Sequence, residues 1–126
     1  MKAILIALLS VCAVACGTDE SRLPVQRWQD VVIGVETRPA PVVVGMNEFL
    51  VSGTRPPRRA AYDLLVFIRM SDADPWVQSI QDGHTGVYRR ALNVGDGPQA
   101  LQVRLKHGAE ETVLRYPLPR AAATSN

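Results

Sequence analysis

The stretch ALQVRLKH, residues 100–107, decides the fold. Leu101, Val103 and Leu105 alternate with Gln102, Arg104 and Lys106. Successive side chains of a strand point to opposite faces, so this spelling gives one apolar and one polar face. A helical face gathers apolar residues at intervals of three and four, and strict alternation scatters them around a helix.

The same period recurs on both sides of this stretch. DVVIGVET sets Val31, Ile33 and Val35 on one face, and NEFLVSG sets Phe49 and Val51 together. YDLLVFIRM aligns Tyr62, Leu64, Val66, Ile68 and Met70, with Asp63, Leu65, Phe67 and Arg69 opposite, as in a central strand. WVQSI follows Pro75, GVYRRALNV starts at Gly86, and ETVLRYPL brings Leu114, Tyr116 and Leu118 into register. The separators are turn chemistry: TRPAP, GTRPP, SDADP, DGHTG, GDGP and KHGAE. About seven short strands at this spacing predict an all-β fold, an immunoglobulin-like β-sandwich over residues 28–119. The Cys–Trp–Cys core of an antibody domain is absent, so the expectation covers architecture alone. No helix of useful length fits after residue 17, and residues 120–126 read as a flexible tail.

Composition agrees with one globular domain. The chain has 126 residues, 47% hydrophobic and 21% charged. Formal net charge is +2 with no long Lys/Arg run, which argues against a nucleic-acid partner. Without Lys2, thirteen basic residues face twelve acidic ones, so electrostatic steering is not the design of the mature part.

The two cysteines, Cys12 and Cys16, both fall in the opening segment MKAILIALLSVCAVAC. One positive charge and an apolar run too short to span a bilayer describe a secretory signal peptide. AVAC followed by GTDES resembles a bacterial lipobox. That resemblance implies cleavage after residue 15 and diacylglycerol on the Cys16 thiol, with further acylation of the new amino group. Ala13 departs from the leucine usual in that motif. Cys12 leaves with residues 1–15, so the two cysteines never form a metal or redox pair. Two or three acyl chains hold a protein firmly to a lipid bilayer. Gly17 is not the aspartate that retains many lipoproteins in the inner membrane, so the outer membrane is favoured. Residues 16–27 read as a lipidated tether.

Three segments then follow one order: RPAPVVVGMNEFLVSG, LVFIRM and GVYRRALNVGDGPQALQVRL. They look like the YtkA-like and FixH-like domain family. Pro41, Gly45, Asn47, Phe49, Val51, Met70, Gly86 and Tyr88 fall on its pattern, and the likeness runs from about Trp28 to Leu118. Members are membrane-anchored extracytoplasmic proteins, and some accompany cytochrome oxidase assembly or copper handling. Family members often carry several methionines and a histidine after the strand methionine. Here MSDADPWVQSIQDGH retains only Met70 and His84. The aromatic usual after the late glycine turn is also replaced, by Ala100 and Leu101.

These residues define two functional readings. The first is a non-enzymatic interaction or accessory module, lipid-anchored in the cell envelope and facing the periplasm, with a protein partner. Its candidate contacts are Trp76 and the arginines of RPPRR, Arg55, Arg58 and Arg59, a cluster also suited to anionic headgroups near the anchor. The second is a copper carrier linked to oxidase assembly, because thioether and imidazole suit Cu(I). Its candidate ligands are Met70 and His84, with Met46 and, less well, His107. That reading requires Met70 and His84 to meet at one open point. No serine sits in a G-x-S-x-G elbow, and SDADPW lacks the glycine and distal glutamate of an EF-hand.

Overall fold

The computed structural model describes residues 21–120. The expected signal peptide, Cys16 and the tail beyond Arg120 lie outside the described residues. Ten strands form: β1 Gln26–Trp28, β2 Val31–Arg38, β3 Gly45–Arg55, β4 Arg59–Ala60, β5 Leu65–Arg69, β6 Val77–Gln78, β7 Ile80–Gln81, β8 Val87–Val94, β9 Gln99–His107 and β10 Glu110–Leu118. All pairings between them are antiparallel. One sheet has the order β1-β2-β3-β8-β7 with β4 on β3, and the other has β10-β9-β5-β6. The two sheets pack as a β-sandwich, and among the described residues there is no helix.

The alternating residues build its core. Val31, Ile33, Val35, Phe49 and Val51 from the first sheet meet Val66, Ile68, Leu101, Val103, Leu105 and Tyr116 from the second. Each such side chain contributes roughly 1.5–3 kcal/mol when fully buried. Two tyrosines add polar stitches. Tyr116 Oη on β10 donates to the Ile33 carbonyl on β2 at 3.0 Å, tying one sheet to the other. Tyr88 Oη donates to the Ala61 carbonyl at 2.9 Å and accepts from Leu64 N at 3.1 Å. Burial pushes the Tyr116 phenol up to about 12, so it stays a donor at any ordinary pH.

Four sequence expectations change. WVQSI is not one strand: β6 pairs with β5 and β7 pairs with β8, so the chain leaves one sheet for the other at Ser79. A small residue suits that switch, because Ser79 is buried between the sheets while its N–H donates to the Val66 carbonyl at 2.8 Å. Tyr62 does not share the apolar face of β5. Ala61 and Leu64 are both buried and lie three apart, which breaks the alternation ahead of the strand and turns Tyr62 outward. The packed part starts before Trp28. Leu23 is buried, its N–H donates to the Val35 carbonyl at 2.9 Å, and Thr37 N donates to the Ser21 carbonyl at 2.8 Å. The stretch expected as tether is therefore folded onto β2 from residue 21. Arg120 is likewise held rather than loose: it bridges to Val42 and donates to the Gly95 carbonyl at 2.7 Å.

The sandwich has two distinct ends. The near end carries Ser21, the loop of residues 39–44 and the turn of residues 95–98, as the Gly45–Val94 and Val42–Arg120 pairings require. The far end carries the β3–β4 hairpin, Tyr62, His84 and the β9–β10 turn. The 11 residues of β3 run between them, roughly 35 Å at strand rise.

Candidate functional site

The far end is built around Arg55. RPPRR closes β3 onto β4, with Arg55 paired in register with Arg59. The Arg55 guanidinium donates to Asp63 at 2.8 Å and lies 3.4 Å from Asp30. His107 Nε2 approaches the second oxygen of Asp63 at 3.1 Å. This one cluster ties the arginine hairpin to the β1–β2 and β9–β10 turns. Arg55 holds the Asp63 carboxyl below the usual carboxylate range, chiefly through that hydrogen bond, and Asp63 raises Arg55 in return. Arg55 is thus a structural post, with its side chain only 15% exposed. Arg58 and Arg59 stand exposed on the hairpin that it supports. They stand at the end of the sandwich opposite Ser21, the first described residue.

Beside the hairpin, the His84 ring packs edge-on against exposed Tyr62, with centroids 6.0 Å apart. Gln81 Nε2 donates to the Tyr62 carbonyl at 2.9 Å and fixes that pair to β7. The floor of this end is Gly86, at φ +72°, where the backbone crosses closely over Gly53 and Ala61. Only glycine takes that conformation freely.

Met70 lies at the other end of β5. It packs against the core and borders a small cleft with Leu92 and Pro75. The whole of β5 separates it from Tyr62 and hence from His84, roughly 15 Å at strand rise. Met70 and His84 therefore do not converge on one ion. Met46 is exposed at the near end, and His107 is engaged with Asp63. Among the described residues, no group of three or more His, Cys, Asp or Glu is arranged to hold a metal.

Trp76 lies on the outer face of the second sheet, not in its core. Arg69 stacks on it at 4.1 Å and Arg104 stands 5.9 Å away. Arg69 is itself fixed by Gln102 at 2.8 Å, and Gln102 by Asp72 at 2.7 Å. Trp76 is a half-buried partner of these arginines, and one of its faces is already taken.

A groove of about 470 Å³ on the outer face of the first sheet has no local signal in the chain. Gly34, Leu50 and Ser52 form its floor, and Arg38 and Arg89 stand on its rim. Arg89 pairs with Glu48 at 2.7 Å and Arg38 with Glu36 at 3.5 Å. Only the strand pairing reveals it, because its floor residues come from two strands eighteen positions apart. Comparisons with family models, curated proteins and solved structures find no match to this chain. Of the motif residues singled out in the sequence, Phe49, Val51 and Tyr88 are buried in the core, Asn47 is buried and bonds the loop before β3, and Gly45 and Gly86 take positive φ.

Proposed function

We propose that this protein is a lipid-anchored, non-enzymatic accessory module of the bacterial cell envelope, whose far end docks on a protein partner. The observation that carries the reading is the opposition of its two ends. The chain enters at one end, where an acylated Cys16 would tie it to the bilayer. A rigidly held hairpin offers Arg58 and Arg59 at the other, facing away from that bilayer. Arginine forks suit bidentate contact with carboxylates, so the partner is a protein with an acidic surface in the same compartment. The strand order supports reading the sandwich as immunoglobulin-like, a frame that commonly carries binding loops at its ends. The motif residues support kinship with YtkA-like and FixH-like domains, and Gly17 supports the outer membrane. Met70 and His84 lie toward different ends of β5, which counts against a copper-carrying role through that pair.

Two experiments test the reading separately. Palmitate labelling of the wild type and of Cys16→Ser reads the anchor; label retained in the variant rejects it. Crosslinking in native membranes reads the partner. The Arg58→Glu, Arg59→Glu double variant is expected to lose a crosslinked species that the wild type forms. Unchanged crosslinks would remove the hairpin from the docking surface.

A further inference from the structure

The near end carries a feature that partner docking at the far end does not use. Val43, Val44 and Met46 are 42%, 59% and 64% exposed. Single exposed apolar residues are ordinary, but here three neighbours cluster at one corner. Their presentation is enforced. Asn47 is buried, its Oδ1 accepts from Val43 N at 3.0 Å, and its Nδ2 donates to the carbonyls of Val43 at 2.8 Å and Gly45 at 2.9 Å. Gly45 supplies the turn at φ +109°. Val42, immediately before, is buried and bridged to Arg120. The loop is clamped on both sides with its valines directed outward.

We infer that this corner is a membrane-resting surface, with Val43, Val44 and Met46 contacting the headgroup–acyl boundary of the bilayer. The inference rests on the lipid-anchor reading of Cys16. Four residues, 17–20, lie between Cys16 and Ser21, and the five steps span at most about 18 Å fully extended. Ser21 is fixed to Thr37 at the base of the same loop. An anchored chain therefore keeps this corner close to lipid at all times. Interfacial attachment scales with buried apolar area, and three side chains are a weak attachment by themselves. The anchor raises their effective concentration at the surface, so a weak contact suffices to orient the domain. Charge does not drive the contact: Asp72, Asp74 and Asp96 are exposed around the same end. They lie toward the second sheet and the β8–β9 turn, so the domain leans on its first-sheet corner. That lean directs the arginine hairpin away from the membrane.

The test uses the full chain, processed in cells and reconstituted into phosphatidylethanolamine–phosphatidylglycerol liposomes. Single cysteines are placed by Val44→Cys and, as the far-end control, Arg58→Cys. Each is labelled with an environment-sensitive fluorophore and exposed to doxyl-lipid quenchers. The Val44 probe is expected to be quenched several-fold more than the Arg58 probe, with little change on adding salt. Equal quenching of the two overturns the inference. So does shielding of the Val44 probe in native membranes but not in liposomes, which assigns the corner to a protein. Disulfide crosslinks between Val44→Cys copies in liposomes overturn it in favour of self-association. Failure of the anchor is read independently: a wild-type protein without palmitate removes both readings, whereas an acylated protein with an unquenched Val44 probe removes this one alone. Urea midpoints equal to wild type establish that neither substitution disturbs the fold.

Discussion

Asn47→Ala isolates the clamp on which the near-end corner depends. The side chain is buried and makes three hydrogen bonds to the backbone of residues 43 and 45. At about 1 kcal/mol net per bond, the substitution costs roughly 2–3 kcal/mol. With a urea m-value of about 1–3 kcal/mol/M, the midpoint falls by about 0.7–3 M at unchanged slope. Asn47→Asp sharpens the argument because it keeps the size and changes one group. The new carboxylate still accepts from Val43 N, but it faces two carbonyl oxygens to which the amide formerly donated. Burial and those carbonyls raise its folded pKa above the unfolded value near 4. The native state then holds the proton more tightly than the unfolded chain. The penalty relative to wild type is therefore small below the unfolded pKa and grows as pH rises through the folded one. Urea titrations at several pH values, followed by tryptophan fluorescence, give both curves. The alanine penalty is expected to be flat with pH and the aspartate penalty to shrink on acidification. An alanine cost under about 0.5 kcal/mol, or an aspartate penalty independent of pH, would refute the clamp.

Other expectations follow from the same contacts. Tyr88→Phe leaves both Ala61 O and Leu64 N without their hydroxyl partner, and is expected to cost about 2–3 kcal/mol in a urea titration. Gly86→Ala forces a Cβ to 2.8 Å from the Gly53 carbonyl at φ +72°, and is expected to lower Tm by several degrees, more than Gly97→Ala, whose Cβ meets nothing within 4 Å. Ser79 Oγ is buried and makes no hydrogen bond among the described residues, so Ser79→Ala is expected to leave stability equal or raise it by about 1 kcal/mol. Arg55 lowers the folded pKa of Asp63, so the Asp63 contribution is present above about pH 4 and fades as pH falls through the lowered value. Because the pair is partly exposed, the stability difference between wild type and Asp63→Asn is expected to be about 0.5–1 kcal/mol at neutral pH and to vanish in acid.

The functional picture depends on direction more than on any single site. A sandwich separates its two sets of loops by the length of its strands, so a contact made at one end leaves the other free. Arg55, Asp63 and Asp30 stiffen the far end with ion pairs, joined by the His107–Asp63 contact, while Asn47 and Gly45 stiffen the near end with backbone hydrogen bonds. Both ends are thus preorganised, which lowers the ordering cost of whatever each one meets.

Local spelling alone determined the strands that repeat a two-residue period over a buried face. Val31–Ile33–Val35, Phe49–Val51, Val66–Ile68 and Leu101–Val103–Leu105 were legible because burial of one face acts on every second residue, wherever the strand pairs. The turns were legible for the same local reason, since proline and glycine act through their own backbone. Tertiary structure decided what depends on partners distant in the chain. The sheet switch at Ser79 is set by which neighbour each half of WVQSI finds, and Tyr62 is turned out by the grip of Tyr88 on Ala61 and Leu64. Leu23 packs because β2 offers Val35, although its own neighbours read as a polar tether. The separation of Met70 from His84, and of the arginine hairpin from Ser21, follows from strand direction and length. Those quantities enter no local pattern, and they turned a list of candidate residues into two opposed surfaces.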